Sequence, residues 1–333
     1  MHDSSILSRR QGRIGRVTLN RPGVLNALDL AMIHAIQAAL DDWRDDPLVH
    51  AVVMDAAPGR AFCAGGDIRA LRALAMAEDY DAIERFFTAE YALNLAIAQY
   101  PKPYISLIDG ICMGGGVGIS IHGAVRVATE AAQFAMPEAA IGMFPDVGGS
   151  FLLPRLRDGF GLYLGLTGAR VSAADAVYLG LATHFVPQER IGALARRLAE
   201  DGICALAEAA VPPPRGTFPD LAGCLGPFDA SSVRDILGAL ERLDTEWSRA
   251  TAATMRASSP TALLWAFELI RRGAGRTLKA CLQAELALTP HVMRHPDFRE
   301  GVRAHVIDKD RTPSWSPARV ESVAPESIAA LFG

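Results

Sequence analysis

A short apolar strand runs directly into a glycine-rich helix at YISLIDGICMGGGVGISIHG, Tyr104–Gly123, and this join constrains the fold more than any other stretch. Pro101 and Pro103 stand before it, and Tyr104–Ile108 reads as a buried strand. Gly114–Gly116 then open a helix of small residues that continues to about Gly123. Gly110–Val125 is also the best candidate for a membrane span. It is glycine-rich and bounded by Asp109 and Arg126, so it does not qualify. A buried strand and then a helix fit an α/β architecture.

The same order recurs earlier in the chain. Arg16–Asn20 and Val49–Asp55 read as β-branched strands. Between them Asp29 can cap a helix whose apolar face is Met32, Ile33, Ile36, Leu40 and Trp43, and Pro47 stops it. Glu78–Tyr100 is a second long helical stretch, and Val125–Ala128 and Gln133–Met136 are short strands. Ser172–Asp175 has capping-box form ahead of Ala176–Leu181. The character changes after about Ala210. Five prolines between Pro212 and Pro227 mark an irregular connector, and helices follow at Ser231–Trp247, Pro260–Arg272 and Leu278–Leu288. The expected organisation is therefore a core over 1–210, a proline-rich connector over 211–229 and a helical region over 230–333.

Several functions are disfavoured at this level. The net charge of −4 offers no positive excess to nucleic acid. The five cysteines show no metal-ligand spacing, which indicates a reducing compartment and neither a disulfide framework nor a metal site. The N-terminus has no apolar signal region, so a cytoplasmic protein is expected, or a mitochondrial matrix protein whose presequence has been removed.

Three stretches carry candidate chemistry. In AFCAGGDIR, Ala61–Arg69, a strand ends in two glycines before a helix that Asp67 can cap. Such a turn brings free N–H groups close to a ligand, although a plain strand-to-helix turn uses glycine as well. In DGICMGGGVG, Asp109–Gly118, the glycines at a helix start can hold a developing oxyanion, or can simply let the helix pack closely. Their spacing does not match the dinucleotide fingerprint. The third stretch, AMPEAAIGMFPDVGG, Ala135–Gly149, is almost wholly apolar yet holds Glu138 and Asp146. Each acid alone reads as a helix-start residue. Two of them flanking an apolar segment are less common, because an unpaired buried carboxylate is costly. Cys63 reads as a small buried hydrophobe and His122 as a packing residue.

Taken with RPGVLNALD, LTGARVSAADAVYLGLATHFV and FREGVRAHVIDKD, these stretches resemble, in order and spacing, the crotonase (enoyl-CoA hydratase/isomerase) superfamily along nearly the whole chain. The resemblance implies a spiral of β-β-α units with a helical C-terminal region, an acyl-CoA substrate, no cofactor beyond the CoA that the substrate carries, and self-association into a homo-oligomer. It also implies that the thioester oxygen is held by the backbone N–H groups of Gly66 and Gly115. Hydratases of the superfamily usually carry a glutamate directly after the glycine run, where this chain has Gly118. Glu138 with Asp146, and without that glutamate, resembles the branch that hydrolyses 3-hydroxyisobutyryl-CoA, with 3-hydroxypropionyl-CoA as a second substrate. In that branch a glutamate of the preceding long helix, here Glu90, approaches the substrate. Arg69 is a candidate contact to the CoA phosphates, or else a solvated surface charge. The alternatives are an enoyl-CoA hydratase or isomerase with Glu138 as sole acid/base, and a non-enzymatic RNA-binding homologue.

Overall fold

The computed structural model describes residues 4–332, and its strands carry the plan of the fold. They are β1 (Ile6–Gln11), β2 (Ile14–Leu19), β3 (Ala51–Ala56), β4 (Ala61–Cys63), β5 (Tyr104–Ile108), β6 (Ile111–Met113), β7 (Val125–Ala128), β8 (Gln133–Ala135), β9 (Val171–Ser172) and β10 (His184–Phe185). One sheet has the order β1-β2-β3-β5-β7-β10 and the other β4-β6-β8-β9. The β1–β2 and β8–β9 pairs are antiparallel, and the remaining pairs are parallel. Successive strands therefore alternate between sheets: β3 then β4, β5 then β6, β7 then β8. Helices follow the second strand of a pair, with α2 (Ile68–Met76) and α3 (Tyr80–Ala98) after β4 and α4 (Gly115–Ile121) after β6. This is the expected β-β-α spiral.

The chain divides into two compact units that interleave in sequence. The first runs to Asp67 and takes in 89–135 and 170–219; the second holds 68–88, 136–169 and the chain from Asp220 onward. The proline-rich stretch 211–229 is thus shared, its first part in one unit and its second part in the other. All the strands lie in the first unit. Its core packs Val53, Ile105, Leu107 and Val127 of the parallel sheet against Leu194 and Leu198 of the Gln188–Asp201 helix. Within the sheet, β5 is buried at every position, as its apolar run requires. The helix α1 (Leu30–Arg44) buries the predicted Met32, Ile33, Ile36, Leu40 and Trp43, and Asp29 accepts from the N–H of Met32.

Among the described residues the second unit has no strand. Its last part holds helices at Val233–Leu243, Glu246–Ala257, Pro260–Gly273 and Leu278–Arg294. The single helix expected over Ser231–Trp247 is divided. Asp244 takes a left-handed φ of 48°, and Thr245 starts a new helix through a capping box with Ser248. The last of the four helices runs past Leu288, because Thr289, Val292 and Met293 continue its buried face.

Candidate active site

In the first unit, the Arg21–Asp29 segment positions a glycine turn. Leu25 and Asn26 both have left-handed φ, at 56° and 54°. Asn26 accepts from the N–H of Arg21 at 2.7 Å and donates to the carbonyls of Ala61 and Phe62, each at 3.0 Å. Its short amide satisfies the backbone of its own turn and of β4 together. Residues 25–28 then lie along 64–67: Ala64 donates to Leu25, Leu28 to Gly65, and Asp67 to Leu28. Arg21 closes the arrangement with an ion pair to Asp67 at 3.2 Å. This pairing makes no use of the Gly66 N–H.

The strand β6 delivers the second glycine turn. Gly114 has φ 48°, and α4 begins at Gly115. As the first helical residue, Gly115 has no acceptor for its N–H inside the helix. A β-carbon on Gly115 would overlap the carboxylate of Glu90, from α3, and stand 3.2 Å from the Gly66 nitrogen. The structure thus brings together Gly66, Gly115 and Glu90, which are 24 or more positions apart in the chain. The packing reading of the glycine run holds at Gly116, since a β-carbon there would strike the Cys63 carbonyl. Gly118 is buried within α4. The Cys63 thiol donates to the Asn26 carbonyl at 3.1 Å, and burial pushes its pKa up, as suits a small buried hydrophobe.

The predicted acids are in the second unit. Pro137 precedes one turn of 3₁₀ helix over Glu138–Ile141, and Gly142 closes it at φ 72°. The N–H of Met143 returns to the Glu138 carbonyl at 3.0 Å. The turn is backed by the FREGV stretch. A β-carbon on Gly142 would overlap the Asp297–Phe298 backbone and one on Gly301 would overlap Ile141, so neither position has room for a side chain. Asp297 accepts from the Ser259 hydroxyl at 2.6 Å and the Ser316 N–H at 2.8 Å, while Ser259 N–H donates to Ala139 at 3.1 Å. Glu138 and Asp146 are 6% and 5% exposed, so both carboxyls are taken out of bulk water.

After Asp146 the chain passes through Val147 at φ 50° and Gly148 at φ 86° before the short helix α5 (Gly149–Leu152). A third acid, absent from the sequence reading, meets this turn. Glu285 is fully buried and accepts from the N–H of Gly148 at 2.8 Å, the N–H of Ser150 at 2.9 Å and the Ser150 hydroxyl at 2.5 Å. Burial pushes its pKa up to about 8, against the pull of those three donors, and the charge of Asp146 acts in the same direction as burial. Its trace in the sequence is faint. Glu285 shares a helical face with Cys281, Leu282 and Leu288, so it sits on a stripe otherwise read as core. Arg69 is exposed and donates to the Val306 carbonyl at 2.7 Å, a structural use that the sequence did not suggest.

A family model described as enoyl-CoA hydratase/isomerase matches residues 14–332. The chain belongs to the enoyl-CoA hydratase/isomerase family. Among relatives, it is 41% identical to the mitochondrial 3-hydroxyisobutyryl-CoA hydrolase of Xenopus tropicalis, over 99% of this chain and 89% of that protein. It is 39% identical to the human protein of the same name, over 97% and 87%. Two solved structures superpose closely. A carnitinyl-CoA dehydratase from Mycobacterium thermoresistibile has a TM-score of 0.94 at 38% identity, with 99% of this chain and 97% of that one covered. An enoyl-CoA hydratase from Rhodobacter sphaeroides has a TM-score of 0.93 at 41% identity and the same coverage.

Proposed function

We propose that the chain hydrolyses a short 3-hydroxyacyl-CoA thioester, with 3-hydroxyisobutyryl-CoA as its first substrate, releasing the free acid and CoA. The observation that carries this reading is Gly118, which leaves the family's glutamate position without a carboxyl while Glu138 and Asp146 remain as buried acids. Adding water across a double bond usually takes two carboxyls here. Cleaving a thioester needs an oxyanion site and one group that attacks the carbonyl carbon or activates water. Similarity along nearly the whole of this chain to relatives named as 3-hydroxyisobutyryl-CoA hydrolases supports the same conclusion.

The N–H groups of Gly66 and Gly115 hold the thioester oxygen and stabilise its charge as the carbonyl carbon is attacked. Glu138 attacks that carbon or takes a proton from the attacking water. Asp146 accepts a hydrogen bond from the substrate 3-hydroxyl and orients the acyl group. Glu90, beside Gly115, flanks the thioester, and Arg69 offers its remaining guanidinium N–H groups to the CoA phosphates. The test is thiol release across 3-hydroxyisobutyryl-, 3-hydroxypropionyl- and crotonyl-CoA. Free CoA should appear with the hydroxyacyl compounds, and efficient hydration of crotonyl-CoA without thiol release from any of them removes the proposal.

The close likeness to a carnitinyl-CoA dehydratase and an enoyl-CoA hydratase favours a second reading, hydration or dehydration with Glu138 as sole acid/base. The crotonyl-CoA arm of the same panel reads it directly.

A further inference from the structure

Val147 is β-branched, buried and left-handed, and Gly148 after it is left-handed too. Such a backbone persists only where its surroundings hold it. The N–H groups of Gly148 and Ser150 stand at the start of α5, where no helical carbonyl can accept them. Glu285 takes both, and the Ser150 hydroxyl with them, from a helix more than 130 positions away. Asp146 is joined to the same turn by its carbonyl, which accepts from the Gly149 N–H at 2.6 Å. A buried acid with three donors is a costly device for mere packing, since an apolar residue would fill the space without desolvating a carboxyl.

We infer that Glu285 is a positioning residue: by clamping the Val147–Ser150 turn it sets where the Asp146 carboxyl stands, and so sets how strongly the enzyme favours acyl groups with a 3-hydroxyl. The inference rests on the role proposed above for Asp146. Glu285 touches no substrate in this account; it acts through the turn. Ser150 is its partner, because the hydroxyl and the N–H of that one residue bind the same carboxyl oxygen.

The test compares wild type, E285Q, D146N and the double variant on 3-hydroxyisobutyryl-CoA and isobutyryl-CoA, with kcat and KM measured separately. E285Q should lower kcat/KM for the hydroxylated thioester on the order of 10-fold, a usual size for coupling between touching groups, and change the other substrate far less. The double variant should be no worse than D146N. Equal losses on both substrates, or losses that multiply in the double variant, overturn the inference. So does a lowered melting temperature with kcat and KM unchanged. If E285Q does not fold, S150A removes only the hydroxyl bond and should show the same substrate preference at about 3-fold; an unchanged preference again overturns the inference. A crystal structure separates this from the hydrolase reading. Asp146 should be displaced in E285Q whatever reaction the enzyme performs, and an unmoved Asp146 refutes the positioning role. A wild type that releases no CoA refutes only the hydrolase reading.

Discussion

The Glu90 carboxylate stands where a side chain on Gly115 would have to go, and the Gly66 nitrogen is only 3.2 Å from that same point. Gly115 is therefore glycine because the Glu90 carboxylate occupies its β-position. Gly116, its neighbour, is glycine because the Cys63 backbone occupies its own. The two residues should fail in different ways.

Gly115→Ala meets the end of a side chain, which can shift, so the variant should fold with a near-normal melting temperature. Its methyl group displaces the Glu90 carboxyl and crowds the Gly66 N–H, so turnover should fall by roughly 10²-fold, the value of a lost oxyanion donor. Gly116→Ala meets backbone and should cost about 1–3 kcal/mol of stability through overpacking. Thermal melts alongside thiol-release rates check both. A Gly115→Ala enzyme with wild-type kcat would leave that glycine a packing residue only.

Glu138→Gln keeps the size of the side chain and removes both the nucleophile and the base. Its kcat should fall by roughly 10²–10⁴ while thioester binding survives, as measured by calorimetry with a slowly turned-over thioester. A near wild-type rate would make Glu138 a helix-start acid and nothing more.

How far each of these residues can be read from the sequence depends on how local its constraint is. Gly66, Gly115 and Glu138 sit in turns whose glycines and prolines are needed within a few positions, so these turns are legible in short stretches of sequence. The strand β1 escapes because only Ile6 of its six residues is buried, which leaves no alternation to read. Glu285 escapes for another reason. Its partners are 135 and 137 positions away, and on its own helix it looks like an acid misplaced among Cys281, Leu282 and Leu288. The two units escape as well, since each is assembled from separated segments of chain.

Glu285 also gives folding a pH dependence. Its pKa rises from an ordinary 4.5 to about 8 in the folded protein, with burial as the main cause. The unfolded chain loses this proton near 4.5, whereas the folded one keeps it until about 8. The protonated group's contribution to stability is thus complete below about 4.5 and is lost progressively as pH rises to about 8. Wild type should lose melting temperature relative to E285Q across that window, so the gap between them narrows with rising pH. Melting curves of the two proteins from pH 5 to 8.5 test this, and parallel curves would mean that Glu285 is already ionised throughout.

The roles left open for Glu138 make opposite isotopic predictions. As a nucleophile it bonds to the acyl carbon, the C–S bond breaks and CoA leaves as a thiolate that takes up a proton; the anhydride then reacts with water. As a base it removes a proton from water, whose oxygen bonds directly to the acyl carbon. In a single turnover with excess enzyme in ¹⁸O-water, anhydride cleavage at the glutamyl carbon puts the label into Glu138 and leaves the first product unlabelled. Direct attack labels that product at once and leaves the enzyme unlabelled. The buried setting of Glu138 favours the first route, because a carboxylate with few waters around it needs little desolvation before it attacks. The expected result is therefore a mass increase in the peptide carrying Glu138 after one turnover. Label confined to the product through repeated turnovers would exclude anhydride cleavage at the glutamyl carbon and favour direct water attack.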